Sequence, residues 1–302
     1  MHGMTGELEA AIGGLYSTFA RYPLRSLTPS LHGFTTEEVR RIERRLRTLP
    51  LNRLGLDEIG RFYTDGVLTW GGIDDFRHLL PRLMELFAAF HLGEPVEWSG
   101  DPRDLDLDLD PDLALMRFTD ADWETWPDAE RDAVCRFMLE LWKAWLTVGG
   151  DIPLEWGSWF EVDLAEAMLR LVPDPEPFLA AWRTAEWPGV RHLSWFLANN
   201  HADSWINWMD EDHPASVINW YRVRNWLDEP ETADRLLDAA LTSAPREMAW
   251  EPVLALDALE RGRPGCNIVD GVLVADETLL RRARELGVAL PIPAAETREP
   301  AD

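Results

Sequence analysis

Trp126-Pro127-Asp128-Ala129-Glu130-Arg131-Asp132-Ala133-Val134-Cys135-Arg136-Phe137-Met138-Leu139-Glu140-Leu141-Trp142-Lys143-Ala144-Trp145-Leu146-Thr147-Val148-Gly149-Gly150 is the stretch that decides the fold class. Pro127 suits the first position of a helix, where its missing N–H costs nothing, and Asp128 and Glu130 place negative charge on the positive end of the helix dipole. From there Val134, Phe137, Met138, Leu141, Trp145 and Val148 recur three and four residues apart, so one apolar stripe runs down one side. Gly149-Gly150 stops it. Just upstream, Thr119-Asp120-Ala121-Asp122 reads as a capped turn.

Working outward, the same 3.6-residue period dominates the chain. Leu8, Ile12, Leu15 and Phe19 mark a helix over about 6–21, closed by Tyr22-Pro23. Further helices are expected over about 35–48, 56–69 and 73–90, the last with Pro81 as a kink inside it. Toward the C-terminus helices are expected at about 158–172, 176–186, 189–200, 214–228, 231–243, 247–260 and 276–286, with prolines mostly at their ends. Asn267 to Val274, apolar on both sides of Asp270-Gly271, reads as a β-hairpin with a type I′ turn. The fold class expected is therefore all-α, an irregular helical array that α-solenoid-like stacking would also satisfy, with a small C-terminal β-hairpin. No fixed repeat period is present. Residues 1–92 read as an N-terminal helical part, 93–118 as an acidic connector, 119–290 as a tryptophan-rich helical part and 291–302 as a disordered tail, all in one continuous structural unit.

Within the connector, Asp104 to Asp110 alternates aspartate with leucine. A calcium loop starting at Asp104 needs glycine at its sixth position and glutamate at its twelfth, but these are Leu109 and Leu115. An extended segment with aspartates in water is the better reading.

Composition limits the functions on offer. With 54 Asp+Glu against 29 Lys+Arg, the 302-residue chain carries a formal charge of −25, which repels a nucleic-acid backbone. Arg40, Arg41, Arg44, Arg45 and Arg47 are the best candidate for a basic patch, and they sit where they suit the C-terminal half of a helix that opens at Thr35-Thr36-Glu37-Glu38. No apolar stretch reaches the roughly 18 residues a membrane span needs, nor does the start resemble a signal peptide, so neither nucleic acid nor membrane is expected as a partner and cytoplasmic residence is. Cys135 and Cys266 are too few for a disulfide framework and too far apart for a paired metal motif. Lys143 is the single lysine, which leaves Schiff-base and P-loop chemistry with one candidate, on a packed helix. Gly13-Gly14 and Gly71-Gly72 read as helix breaks or bends rather than phosphate loops. No G-x-S-x-G nucleophile motif is present, and no two of the seven histidines stand three or four residues apart. No cofactor or catalytic residue is assigned.

Fifteen of the sixteen tryptophans lie between Trp98 and Trp250. Tryptophan serves cores and interfaces alike, because it joins a large apolar area to one N–H. The tract from Trp195 to Trp226 interleaves aromatic rings with Asn199, Asn200, Asn207, Asn219 and Asn225. It contains the acidic run Asp210-Glu211-Asp212. Trp205, Trp208, Asp210, Glu211, Asp212, Trp220 and Trp226 form the candidate partner-binding set, since such a surface suits arginines through cation–π contacts and charged hydrogen bonds. A tryptophan-heavy helical core is the competing explanation of the same tract. His201, Asp203 and Asp210 form a weaker, alternative set, which folding could gather into a metal site.

Two segments carry a resemblance: Leu15-Tyr16-Ser17-Thr18-Phe19-Ala20-Arg21-Tyr22-Pro23, and Leu68-Thr69-Trp70-Gly71-Gly72-Ile73-Asp74-Asp75-Phe76-Arg77-His78-Leu79-Leu80-Pro81-Arg82-Leu83. Together they resemble an uncharacterised family of bacterial cytoplasmic helical proteins over roughly the first 90 residues, with a weaker echo at Phe118 to Trp142. In that family a cysteine cluster often follows the first tyrosine-proline. Here Leu24 to Phe34 has no cysteine, so no metal role carries over. The resemblance implies a bacterial helical protein and no particular activity.

The function expected is a non-enzymatic acidic protein that binds a basic protein partner, with an immunity-type inhibitor of a cationic toxin as its concrete form. A metal-dependent hydrolase with an acidic pocket and a scaffold subunit of a bacterial complex are the alternatives.

Overall fold

The computed structural model of the chain describes residues 4–24, 36–60, 71–97, 109–148, 159–199, 214–262, 266–269 and 272–291. The fold is all-α. Its helices are α1 (Gly6–Phe19), α2 (Thr36–Thr48), the single turn α3 (Leu56–Ile59), α4 (Ile73–His91), α5 (Pro111–Asp120), α6 (Asp128–Trp145), α7 (Trp159–Leu171), α8 (Glu176–Thr184), α9 (Trp187–Asn199), α10 (Pro214–Leu227), α11 (Pro230–Asp238), α12 (Trp250–Arg261) and α13 (Glu277–Leu286). Strands β1 (Cys266–Val269) and β2 (Val272–Ala275) pair antiparallel with Val269 opposite Val272. The expected hairpin is therefore present, while its turn, Asp270-Gly271, lies outside the described residues.

The chain forms two compact units, Met1–Val148 and Gly149–Asp302. In the first, α1 packs on α4 and α6. Leu8, Ile12, Leu15 and Phe19 of α1 are buried, as are Phe76, Leu79, Leu80, Leu83 and Phe87 of α4 and Val134, Phe137, Met138, Leu141, Trp142 and Trp145 of α6. Each such side chain contributes about 1.5–3 kcal/mol by leaving water. Because α6 joins this core, the tryptophan-rich part does not begin a unit at residue 119. Gly149-Gly150, expected as a helix stop, is also where the units divide.

Two local readings change. The helix α5 occupies part of the segment expected to be a connector: Asp110 caps it, accepting from the Leu113 N–H at 3.1 Å, and Pro111 starts it. The glycine doublets also differ from each other. Gly13-Gly14 lies within α1, which continues to Phe19, whereas Gly72 is the N-cap of α4 and its N–H donates to the Asp75 carboxylate at 3.0 Å. The alternating aspartates up to Asp108, most of the segment expected as a helix at 56–69 and nearly all of the expected tail lie outside the described residues.

In the second unit, α9 packs on α7 and α12, α10 on α7, and α12 on α11 and α13. Trp195, Trp250, Val253, Leu254 and Leu279 form one buried cluster, with the Trp195 and Trp250 rings edge to face at 5.7 Å. A buried ion pair joins α9 to α12: the Arg191 guanidinium donates to both carboxylate oxygens of Glu251, at 2.8 and 3.1 Å. The bidentate geometry offsets the desolvation of both charges.

Candidate functional site

The tract from Trp195 to Trp226 falls into three parts. Trp195 belongs to the core cluster described above. Trp205, Trp208, Asp210, Glu211 and Asp212, with the alternative metal set His201, Asp203 and Asp210, lie outside the described residues. Trp220 and Trp226 are both on α10, Trp220 half-buried and Trp226 buried.

Trp226 is a core residue, which corrects its place in the partner-binding set. Its ring stacks on that of Trp182 from α8 at 5.5 Å with 27° between planes, and both are buried. The Arg183 guanidinium lies over the Trp226 ring at 5.9 Å while pairing with Glu176 and Glu229. Trp182 donates its indole N–H to Gly189 O at 2.8 Å. The arginine that a partner was expected to lay on this tryptophan is thus supplied by the chain itself. Asn219, two turns earlier on α10, is also buried: its amide donates to Leu169 O at 3.1 Å and Val172 O at 2.6 Å, satisfying carbonyls at the end of α7 that have no partner within their own helix.

The opposite side of α10 faces water. Ile218 and Tyr221 are 54% and 53% exposed, and Trp220, half-buried, meets the Tyr221 ring edge to face at 4.6 Å. Arg222 and Arg224 on the same helix are paired with Asp174 and Asp228. Ile218 and Tyr221 thus give α10 an exposed aliphatic-aromatic pair, neither of them a member of the partner-binding set read from the sequence.

In the first unit Arg21, Tyr22, Arg77, Trp126 and Glu130 converge on one charged cluster. The Glu130 carboxylate at the start of α6 is 0% exposed; it accepts the Tyr22 hydroxyl at 2.6 Å, bonds to the Arg21 guanidinium, and lies 3.5 Å from Arg77 Nε. Arg77 of α4 sits between two rings, 4.6 Å from Trp126 and 5.1 Å from Tyr22. His78 Nδ1 is 2.6 Å from Tyr22 O. Burial, and secondarily the bond to Glu130, raise the Tyr22 pKa, so the hydroxyl stays protonated and is a donor rather than a nucleophile. The cluster joins α1, α4 and the start of α6 by mutual pairing. No local sequence pattern reveals it, because Glu130 lies 108 residues from Tyr22 and 109 from Arg21.

Other groups with chemical potential are quiet. The Cys135 thiol, partly rather than fully buried, is pushed up to about 11, chiefly by burial and then by Asp132, so little thiolate is present near neutrality. His91 ends α4 with Nε2 3.3 Å from Leu109 O and its ring 4.3 Å from that of Phe87; desolvation lowers its pKa to about 4 and keeps it neutral. Among the described residues no three His, Cys, Asp or Glu side chains are grouped to hold a metal, and no helix is long and apolar enough to cross a membrane. No protein-family model, curated protein or solved structure matches the chain.

Proposed function

We propose that the protein is a non-enzymatic interaction protein that binds a basic protein partner, in the manner of an inhibitor capping a cationic site. The observation that carries this reading is the outward face of α10, where Ile218 and Tyr221 stand in water on a chain of charge −25. Large apolar side chains inside a strongly acidic field suit a partner with an apolar contact ringed by lysine or arginine. Arg183, Arg191, Arg222, Arg224, Arg261 and Arg282 pair with carboxylates of the chain itself, which supports the reading that a basic partner meets unneutralised acidic side chains.

Affinity capture from native host lysate at about 50 mM and about 500 mM salt tests the proposal. A single basic protein retained at low salt, released at high salt and lost with Ile218→Ser/Tyr221→Ser is the expected result. A lysate that yields no basic partner at either salt contradicts it.

A further inference from the structure

A second exposed face lies on α11, the helix that follows α10. Glu231, Asp234, Leu237, Asp238 and Leu241 are all exposed and recur three and four residues apart, so they form one stripe along α11 and the turn after it. Leu237 and Leu241 are 38% and 55% exposed in a protein whose other α11 leucine, Leu236, is fully buried.

The stripe is rigidly presented. Ala239–Ser243 form a π-helical turn, closed by the Ala244 N–H to Ala239 O at 2.9 Å. Ala239 and Ala240 are both buried, Ala240 in the cluster of Trp195 and Trp250, and the next three residues face solvent. Leu241 therefore stands on backbone anchored in the core. The Thr242 hydroxyl donates to the Asp238 carboxylate at 2.9 Å and to its carbonyl at 2.8 Å.

The charge around the leucines is unbalanced. Arg235 is the one base of α11, and its guanidinium turns to Trp182 O and Ala185 O, away from the stripe. Glu231, Asp234 and Asp238 make no ion pair among the described residues. Two leucines one turn apart, edged by three carboxylates, are complementary to a helix with leucines on one side and lysines or arginines beside them.

We propose that the Leu237–Leu241 stripe of α11 docks a basic amphipathic helix of the partner. This rests on the reading of the protein as a binder of basic proteins, and adds a surface distinct from Ile218 and Tyr221 of α10. A like-charged second copy of the chain is a poor occupant, since the stripe would face its own carboxylates.

The test uses a labelled helical peptide of about 18 residues with leucines at i, i+3, i+4 and i+7 and lysines elsewhere, and a scrambled peptide of equal composition, in fluorescence anisotropy near physiological salt. The intact protein is expected to bind the patterned peptide at least about tenfold more tightly than the scrambled one. Leu237→Ser/Leu241→Ser is expected to abolish that preference, and Ile218→Ser/Tyr221→Ser to keep it. Asp234→Asn/Asp238→Asn, which retains the leucines, is expected to weaken binding and flatten its salt dependence. Equal binding of the two peptides, or a preference that survives Leu237→Ser/Leu241→Ser, overturns the stripe as the docking site. Either result leaves the capture of a basic partner from lysate to decide the broader reading by itself.

Discussion

A carboxylate with no exposure is stable only while its partners stay in place, and Glu130 has three: the Tyr22 hydroxyl, Arg21 and Arg77. Removing the carboxylate takes from Arg77 its buried partner and leaves it the 3.8 Å pair with the more exposed Asp74, so Glu130→Ala is expected to cost about 3–5 kcal/mol in urea unfolding. Tyr22→Phe, which deletes one hydroxyl, is expected to cost about 1 kcal/mol. A near-neutral Glu130→Ala would mean that the cluster does not hold the first unit together. His91 supplies a pH dependence of definite sign. Its folded pKa, about 4, lies below the ordinary 6.5, so the unfolded chain binds the proton more readily. Stability is full above about pH 6.5 and falls as pH drops toward 4, by on the order of 3 kcal/mol, and His91→Leu is expected to flatten that part of the pH–stability curve. Neither site was visible in the sequence. Trp126-Pro127 and Glu130 announced a helix start, but no local pattern says which tyrosine or arginine a buried glutamate meets a hundred residues away.

Individual helices were far more readable, because period and caps are local. The apolar positions of α1 and α6 follow the expected stripes, and α5 was missed although Asp110-Pro111-Asp112 carries the cap, the first-position proline and the first-turn acid of a helix start. There the alternating aspartates drew the reading toward an extended segment. Burial on α10 was harder, since Trp220, Tyr221 and Trp226 are alike in composition and differ only in which side of the helix they occupy. Mutation separates the two sides. Trp226→Ala removes the stack on Trp182 and is expected to destabilise by about 3–5 kcal/mol, whereas Tyr221→Ser should change stability by less than about 0.5 kcal/mol. Thermal or urea unfolding of the pair checks this, and the reverse order would return Trp226 to the surface.

Over the whole molecule, electrostatics and chemistry make separate predictions. The charge of −25 favours basic partners at long range and is screened by salt. The metal-dependent alternative rests on His201, Asp203 and Asp210, and a bound ion would stabilise the folded state by mass action. Melting temperatures in Mg²⁺, Mn²⁺, Ca²⁺ and Zn²⁺ are expected to stay within about 1 °C of the metal-free value, and a rise of several degrees with one ion would favour the hydrolase. The all-α class and most helix positions followed from sequence. The division at Gly149 did not, because it depends on α6 choosing α1 as its packing partner. The most direct measurement of the central claim is a calorimetric titration of the purified basic partner into the intact protein at several salt concentrations. The account predicts tight binding that weakens steadily with salt and is lost in Ile218→Ser/Tyr221→Ser while the variant's melting temperature is unchanged. Binding that is indifferent to both salt and the variant would contradict it.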